Sequence, residues 1–240
     1  MRVLKITARG FTVSFRYPHF MMGLQPTYNM PPPATLYGHV ASALGEWFDP
    51  AGVRFAVHFS YAHKQADIET TILLKSTGDK SKMPQDKSLP KVLEGNPNPF
   101  QREILFFPRL TLYINRPEWL EAFRHPRYAV CLGRSQDLFT YENVEVVDLQ
   151  PAENVYLEHT LLPYEFVHLT AAGQSVLMPR FLQNEAKRQP IFERYIVLQR
   201  QIETATMLRF ANAPLPELWA DSATPQVNGN PLGLAFHSWV

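Results

Sequence analysis

At 240 residues, with 45% hydrophobic and 12% aromatic content and a formal net charge of +1, the chain has an ordinary globular composition and can bury a substantial core as one elaborated domain or two small ones. No apolar run approaches the roughly 20 residues of a membrane span, and the opening "MRVLKITARGF" lacks the long apolar block of a secretory signal, so a cytoplasmic protein with no membrane partner is expected. The single cysteine, Cys131, excludes an internal disulfide framework and a multi-cysteine zinc site, and the eight histidines are scattered without metal spacing, so neither metal nor cofactor is expected.

The first element is a strand in "MRVLKITA". A Pro- and Met-rich loop from Tyr17 to Pro33 leads into a helix from about Thr35 to Phe48, where Leu36, Val40, Leu44 and Trp47 recur at helical spacing. In "VRFAVHFSY", Val53, Phe55, Val57 and Phe59 alternate with Arg54, Ala56, His58 and Ser60, the pattern of a second strand. The stretch from about Thr70 to Gln101 is long, basic and rich in Pro and Gly, with a possible short strand in "TTILLK", and reads as an insertion. A third strand follows in "EILFFPRLTLYI", then a short helix in "RPEWLEAFRH", where Pro117 and Glu118 suit a helix start, and a fourth strand in "RYAVCLG".

Strand, helix, strand, insertion, strand, helix, strand is the ferredoxin-like split order of an α+β domain, a scaffold that many RNA-binding modules share. The expected division is a ferredoxin-like (RRM-like) domain at 1–143, with its insertion near 70–101, and a β-rich C-terminal extension at 144–240 carrying strands in "NVEVVDL", "NVYLEHTLL" and "RYIVLQR".

Charge is unevenly spread. No acid precedes Glu46, while Arg2, Lys5, Arg9 and Arg16 are basic, and the window from Lys75 to Arg109 holds Lys75, Lys80, Lys82, Lys87, Lys91, Arg102 and Arg109 against only Asp79, Asp86, Glu94 and Glu103. No Lys or Arg lies between Arg134 and Arg180, where seven acids do. Such polarity suits one face for a polyanion and another for protein or solvent; a merely solvated surface is the alternative.

Two short motifs concentrate the functional signal. In "MPPPATLYGHVASALGEW" three prolines stiffen the approach to a helix, Thr35 is placed to cap it, and Gly38 removes a side chain near its start. A helix N-terminus offers unpaired N–H groups and partial positive charge to a phosphate, and Tyr28 and Tyr37 are candidate stacking platforms for bases. The bland reading gives the prolines a routine helix entry and Gly38 a packing role. In "LGRSQDL" Gly133 permits a tight turn, Arg134 is a candidate phosphate clamp, and Ser135 and Gln136 are candidate partners for base edges or ribose hydroxyls; a purely structural turn is equally compatible.

The pairing of "SFRYP", "QPTYNMPPPATLYGHVASALGE" and "LGRSQDL" resembles the CRISPR-associated Cascade subunit of the RAMP superfamily that caps the 5′ handle of the guide RNA (crRNA), the fifth of the numbered families of associated proteins. The resemblance covers about Met1 to Leu138. It implies a thumb-like insertion between the second and third strands, the place of the basic stretch, whose lysines would reach toward the handle–guide junction. It also implies that Thr35, Tyr37, Gly38, Gly133, Arg134 and Ser135 hold the handle. The expected partners are then the crRNA 5′ handle, the Cascade backbone and large subunits, and target DNA near the protospacer-adjacent motif, in antiviral defence or a related RNA-guided process. The full set of expected RNA contacts is Arg16, Tyr28, Thr35, Tyr37, Gly38, Lys75, Lys80, Lys82, Lys87, Arg102, Arg109, Gly133, Arg134, Ser135 and Gln136.

The alternative within the resemblance is a metal-independent endoribonuclease that processes precursor crRNA, with Tyr61, His63 and Lys64 of "YAHK" as acid/base candidates. A solvated strand end accounts for the same residues. A protein-only interaction module, with no RNA affinity in the basic half, is a third possibility. P-loop, dinucleotide, zinc-protease and serine-hydrolase motifs are all missing from the sequence.

Overall fold

Alternating burial organises the first strand, β1 (Arg2–Gly10). Leu4 and Ile6 enter one apolar cluster and Val3 another, so both faces of the sheet that contains β1 are covered. The computed structural model describes residues 1–20, 23–82, 90–168, 172–183, 189–204 and 217–240; for 73–82, 90–96 and 168 it describes the backbone alone.

The helix α1 (Pro33–Leu44) starts two residues earlier than its periodicity predicts, because Pro32 serves as N-cap and Pro33 fits the first helical position, where no N–H is needed. It also stops earlier. Gly45 adopts φ +85° and donates its N–H to the Ala41 carbonyl at 2.9 Å, the left-handed cap that ends many helices. The strand β2 (Arg54–Ser60) follows, and then a long antiparallel hairpin of β3 (His63–Lys82) and β4 (Pro90–Phe106). The stretch expected to be largely irregular is therefore mostly strand.

The expected third strand breaks in two. β4 ends at Phe106, Phe107 takes φ +53° ahead of Pro108, and β5 (Arg109–Ile114) begins anew in a different sheet. A single turn of 3-10 helix at Pro117–Trp119 leads into α2 (Leu120–Arg124). The expected fourth strand at 127–133 forms only one bridge, Cys131 to Leu138; the strand that completes the order is β6 (Phe139–Asp148), which spans the expected boundary at 143/144. β7 (Thr160–Pro163), β8 (Gln174–Leu182) and β9 (Pro190–Leu198) come from the later part of the chain.

The large sheet runs β8-β9-β7-β2-β5-β1-β6, with His237–Ser238 added against β2, and each of its pairings is antiparallel. One face buries Leu4, Ile6, Phe55, Val57, Leu112 and Ile114 beneath Leu36 and Val40 of α1 and Phe123 of α2. The other face buries Val3, Ala56 and Tyr113 beneath Leu149, Tyr156, Leu232 and Leu234. Lys5 lies on that second face, and its ammonium donates to Asp221 at 2.6 Å while the Tyr113 hydroxyl donates to the same carboxylate at 3.0 Å. Burial pushes the Asp221 carboxyl up, but the bond and charge of Lys5 and the donors Ala223 N–H and Tyr113 outweigh it and hold its pKa below the usual carboxylate value. The later residues thus extend and roof the first module's sheet.

Candidate nucleic-acid interface

A cavity of about 300 Å³ opens where the segment after β1, the start of α1, the base of the hairpin and the turn before β6 meet. Arg16, Thr35, Arg102, Gly133 and Arg134, all singled out in the sequence, line it together with Ser14, Phe15, Pro32 and Pro179.

The turn is organised by Asp137, which is fully buried. Its carboxylate accepts from the Thr12 hydroxyl, the Ser14 N–H and the Arg134 N–H, each at 3.2 Å, and from Arg134 Nε and Nη2 at 2.9 and 2.8 Å. The bidentate edge of Arg134, expected to clamp a phosphate, is therefore occupied by a residue of its own turn. Arg134 Nη1 also donates to Glu69, and Glu69 accepts from Arg102 Nε at 2.7 Å. The Asp137 bonds push the Arg134 pKa above its ordinary high value against the effect of burial, so this guanidinium stays charged. Arg102 is 9% exposed and lies over the Phe100 ring at 5.1 Å. Two carboxylates thus answer two of the three cavity arginines. Arg16 is exposed and has no ion pair among the described residues, which leaves its guanidinium open to a ligand.

Gly133 has φ +86°, and a Cβ there would lie 2.9 Å from both the Ser14 carbonyl oxygen and Val13 Cγ2. Left-handed backbone and close approach both require glycine. Gly133→Ala is expected to cost about 1–3 kcal/mol of stability by forcing overpacking and strain. Urea unfolding tests this, and an unchanged midpoint would mean the turn relaxes away from Ser14 at no cost. Ser135 and Gln136 are exposed on the turn but do not line the cavity.

The helix start differs from expectation. Thr35 is the third helical residue and not the cap, and no side chain caps α1. Its N–H and that of Leu36 both point to the Pro32 carbonyl, at 2.8 and 3.2 Å, while Pro33 has no N–H; few first-turn donors remain for an anion. A Cβ at Gly38 would meet nothing within 4 Å, so the glycine serves no close internal packing; it lines a separate groove of about 290 Å³ beside Trp47 and Tyr128.

Both tyrosines proposed as stacking platforms are core residues. Tyr28 is 1% exposed, stacks on Tyr17 at 3.7 Å and donates its hydroxyl to the Leu177 carbonyl at 3.0 Å; burial pushes its pKa up. Tyr37 is 5% exposed, donates to the Phe48 carbonyl at 2.6 Å and packs against Phe48 and Trp239. Neither presents a face to a base.

Arg109 starts β5, away from this cavity, and lines a second one of about 530 Å³ at the end of the large sheet, with Arg9, Phe11, Phe107, Leu138 and Thr140. Of these only Arg109 belongs to the expected contact set. The exposed phenylalanines had a faint signal in "RGF" and "FFPR", an aromatic beside a residue that breaks the strand. Lys75, Lys80 and Lys82 lie on β3 with side chains outside the described residues, and Lys87 lies outside the described residues altogether.

The acid/base candidates do not converge. The Tyr61 hydroxyl accepts from Gln199 at 2.9 Å, the His63 ring stacks flat on Phe106 at 4.7 Å, and Lys64 pairs with Glu103 at 3.2 Å. His63 and Lys64, consecutive in a strand, project to opposite faces. Among the described residues no group of three or more His, Cys, Asp or Glu side chains is placed to hold a metal, and no helix is long and apolar enough to cross a membrane.

No protein-family model matches this sequence, and no curated protein matches it. Among solved structures, the chain is similar to one in a CRISPR RNA-guided surveillance complex, with a TM-score of 0.51 and 15% identity over 86% of this chain and 98% of that one. Weaker likenesses are to a CRISPR protein from Archaeoglobus fulgidus (TM-score 0.48, 9% identity, 98% of each chain) and to a chain of a type III-B Cmr-beta complex bound to cognate target RNA and AMPPnP (TM-score 0.43, 11% identity, 85% and 86%). Only the first is close enough to bear on the fold, and it shows a shared fold alone.

Proposed function

We propose that this chain is a non-catalytic RNA-binding subunit of a type I CRISPR Cascade surveillance complex of the RAMP superfamily, holding the crRNA 5′ handle at the cavity between the Gly133–Gln136 turn and the start of α1. The observation that carries the proposal is the convergence of Arg16, Arg102 and Arg134 with Gly133 and Thr35 on one cavity, where Arg16 has no ion pair among the described residues. The order β1-α1-β2-β5-α2-β6, with strands arranged β6-β1-β5-β2, supports a ferredoxin-like unit. The β3–β4 hairpin lies between the second and third strands of that unit, where a thumb-like insertion is expected. The shared fold with a surveillance-complex chain is consistent with the same role. The backbone subunit, the large subunit, target DNA near the protospacer-adjacent motif and a cytoplasmic site of action follow from this reading. Tyr61, His63 and Lys64 meet at no common point, so no observation favours the endonuclease.

Arg16 is the informative side chain, being exposed and free of ion pairs among the described residues. Arg16→Ala is expected to weaken binding of repeat RNA by about 1.5–3 kcal/mol, the range for a hydrogen bond to a charged group, and to reduce the salt slope by about one, with no change in melting temperature. The full chain is incubated with labelled repeat RNA in EDTA and read on native and denaturing gels in parallel. A shift without cutting, weakened by the substitution, supports the proposal. Unchanged affinity and slope take Arg16 off the RNA, and cleavage at one position replaces the binding role with a nuclease.

A further inference from the structure

We infer that the cavity at the end of the large sheet is a pocket for one unstacked base of single-stranded RNA, an inference that rests on the RNA-binding role proposed above.

The pocket's walls are aromatic. Phe11 is 80% exposed, Phe107 54% and Leu138 59%, and the two phenylalanine rings stand 6.4 Å apart at 64°. They come from different loops that are pinned together: Phe107 N–H donates to the Phe11 carbonyl at 2.8 Å, and Gly10 N–H donates to the Pro108 carbonyl at 3.0 Å. Phe107 is held at φ +53°, a conformation disfavoured for a bulky side chain, and its ring, which meets Phe11 and, at 6.2 Å, His63, keeps about half of its surface open. The open half of the ring, beside the more exposed Phe11, is left for a ligand with a π-face.

The floor is cationic. Arg9 and Arg109 are direct cross-strand partners on β1 and β5, and Arg9 faces Thr140 on its other side. Like charges placed opposite one another destabilise a sheet. Arg9 is answered by Glu142 at 3.0 Å, whereas Arg109 is exposed and has no ion pair among the described residues, and no carboxylate lines the cavity. A volume of about 530 Å³ bounded by aromatic faces and two guanidiniums fits a base with its attached phosphate; an apolar peptide would leave Arg109 unanswered. The turn from Leu132 to Leu138 also joins the two sites, since Gly133 and Arg134 line the first cavity and Leu138 the second. A strand crossing this turn would meet guanidiniums on one side and an aromatic pocket on the other.

The test measures anisotropy of the full chain with a labelled oligoadenylate RNA and with the same RNA carrying abasic sites, comparing wild type with Phe11→Ala and Phe107→Gly; glycine accepts the φ at 107, and Phe11 is too exposed to support the fold. The expected result is binding of oligoadenylate weakened roughly 5- to 150-fold with the salt slope unchanged, and abasic RNA bound equally by wild type and variants. If the variants bind oligoadenylate as wild type does while Arg16→Ala weakens it, the base pocket is overturned and the RNA-binding role stands. Equal weakening on abasic RNA also overturns it, because the rings would then act through shape and not through stacking. Failure of the wild type to bind any RNA, repeat RNA included, overturns both.

Discussion

Replacing Asp137 by alanine is expected to lower the unfolding free energy by about 3–5 kcal/mol, because it breaks a buried ion pair by removing one partner. The carboxylate is fully buried and collects donors from three residues on two segments: the Thr12 hydroxyl, the Ser14 N–H, and the main chain and guanidinium of Arg134. Its removal leaves the Arg134 charge, with a side chain only 16% exposed, supported by its bond to Glu69 and the more distant charge of Asp67, and orphans the buried Ser14 N–H. Asp137→Asn keeps the shape but turns an amide N–H₂ toward the guanidinium on one side, so an intermediate loss is expected. RNA affinity should fall with the Asp137 variants even under folded conditions, since the turn that places Gly133 and Arg134 loses its anchor. Urea unfolding with the slope reported alongside the midpoint reads the first effect and a gel shift the second. A midpoint within error of wild type would mean that the hairpin and Gly133 packing hold the turn without the carboxylate.

The sheet's central strands were legible because their alternation reports burial directly. Val53, Phe55, Val57 and Phe59 face the core as their spacing predicts, and Leu36 and Val40 mark the inner side of α1. The fourth strand was misplaced because "RYAVCLG" alternates well and "FTYENVEVVDL" does so only in its second half, where a register shift against Thr7 and Ala8 has been passed. The segment after α2 serves instead to brace the helix pair: Arg127 donates its N–H to the Ala43 carbonyl at 3.0 Å, and its side chain lies against Gly45. The hairpin escaped notice for a different reason. From His63 to Ile68 its residues are all exposed, so no period-2 burial pattern exists to be read, and the strands are held by their own ladder of pairs.

At the site, the sequence marks the cations but hides their partners. Arg134 and Asp137 are three residues apart in "RSQD", close enough for the pair to be anticipated, whereas Glu69 reaches both Arg102 and Arg134 only because the hairpin folds beside the turn. Tyr28 and Tyr37 looked like platforms because aromatics near a basic loop fit either a base or a core, and local sequence does not distinguish the two. The exposed rings of Phe11 and Phe107 are the converse case, since an apolar side chain in a strand-rich sequence is read as interior by default.

The helix start depends on a residue more than two hundred positions away, and that dependence gives the second large effect. Trp239 is 1% exposed; its indole N–H donates to the Pro33 carbonyl at 2.7 Å, and its ring stacks on Phe55 at 4.4 Å and meets Tyr37 and Phe48 edge-on. It therefore ties the first turn of α1 to β2 of the sheet, next to Pro32 and Thr35 of the cavity wall. Trp239→Ala is expected to cost about 3–5 kcal/mol, the range for emptying a large aromatic site in a core that relaxes only partly. Trp239→Phe retains much of the packing and deletes the hydrogen bond, and a loss of about 1 kcal/mol is expected from it. The gap between the two variants in thermal unfolding separates packing from the N–H. If both melt like wild type, the C-terminal segment does not hold the helix. If Trp239→Ala melts early while RNA binding at a permissive temperature is intact, the cavity wall is positioned by the sheet and the turn, and the tryptophan serves stability alone.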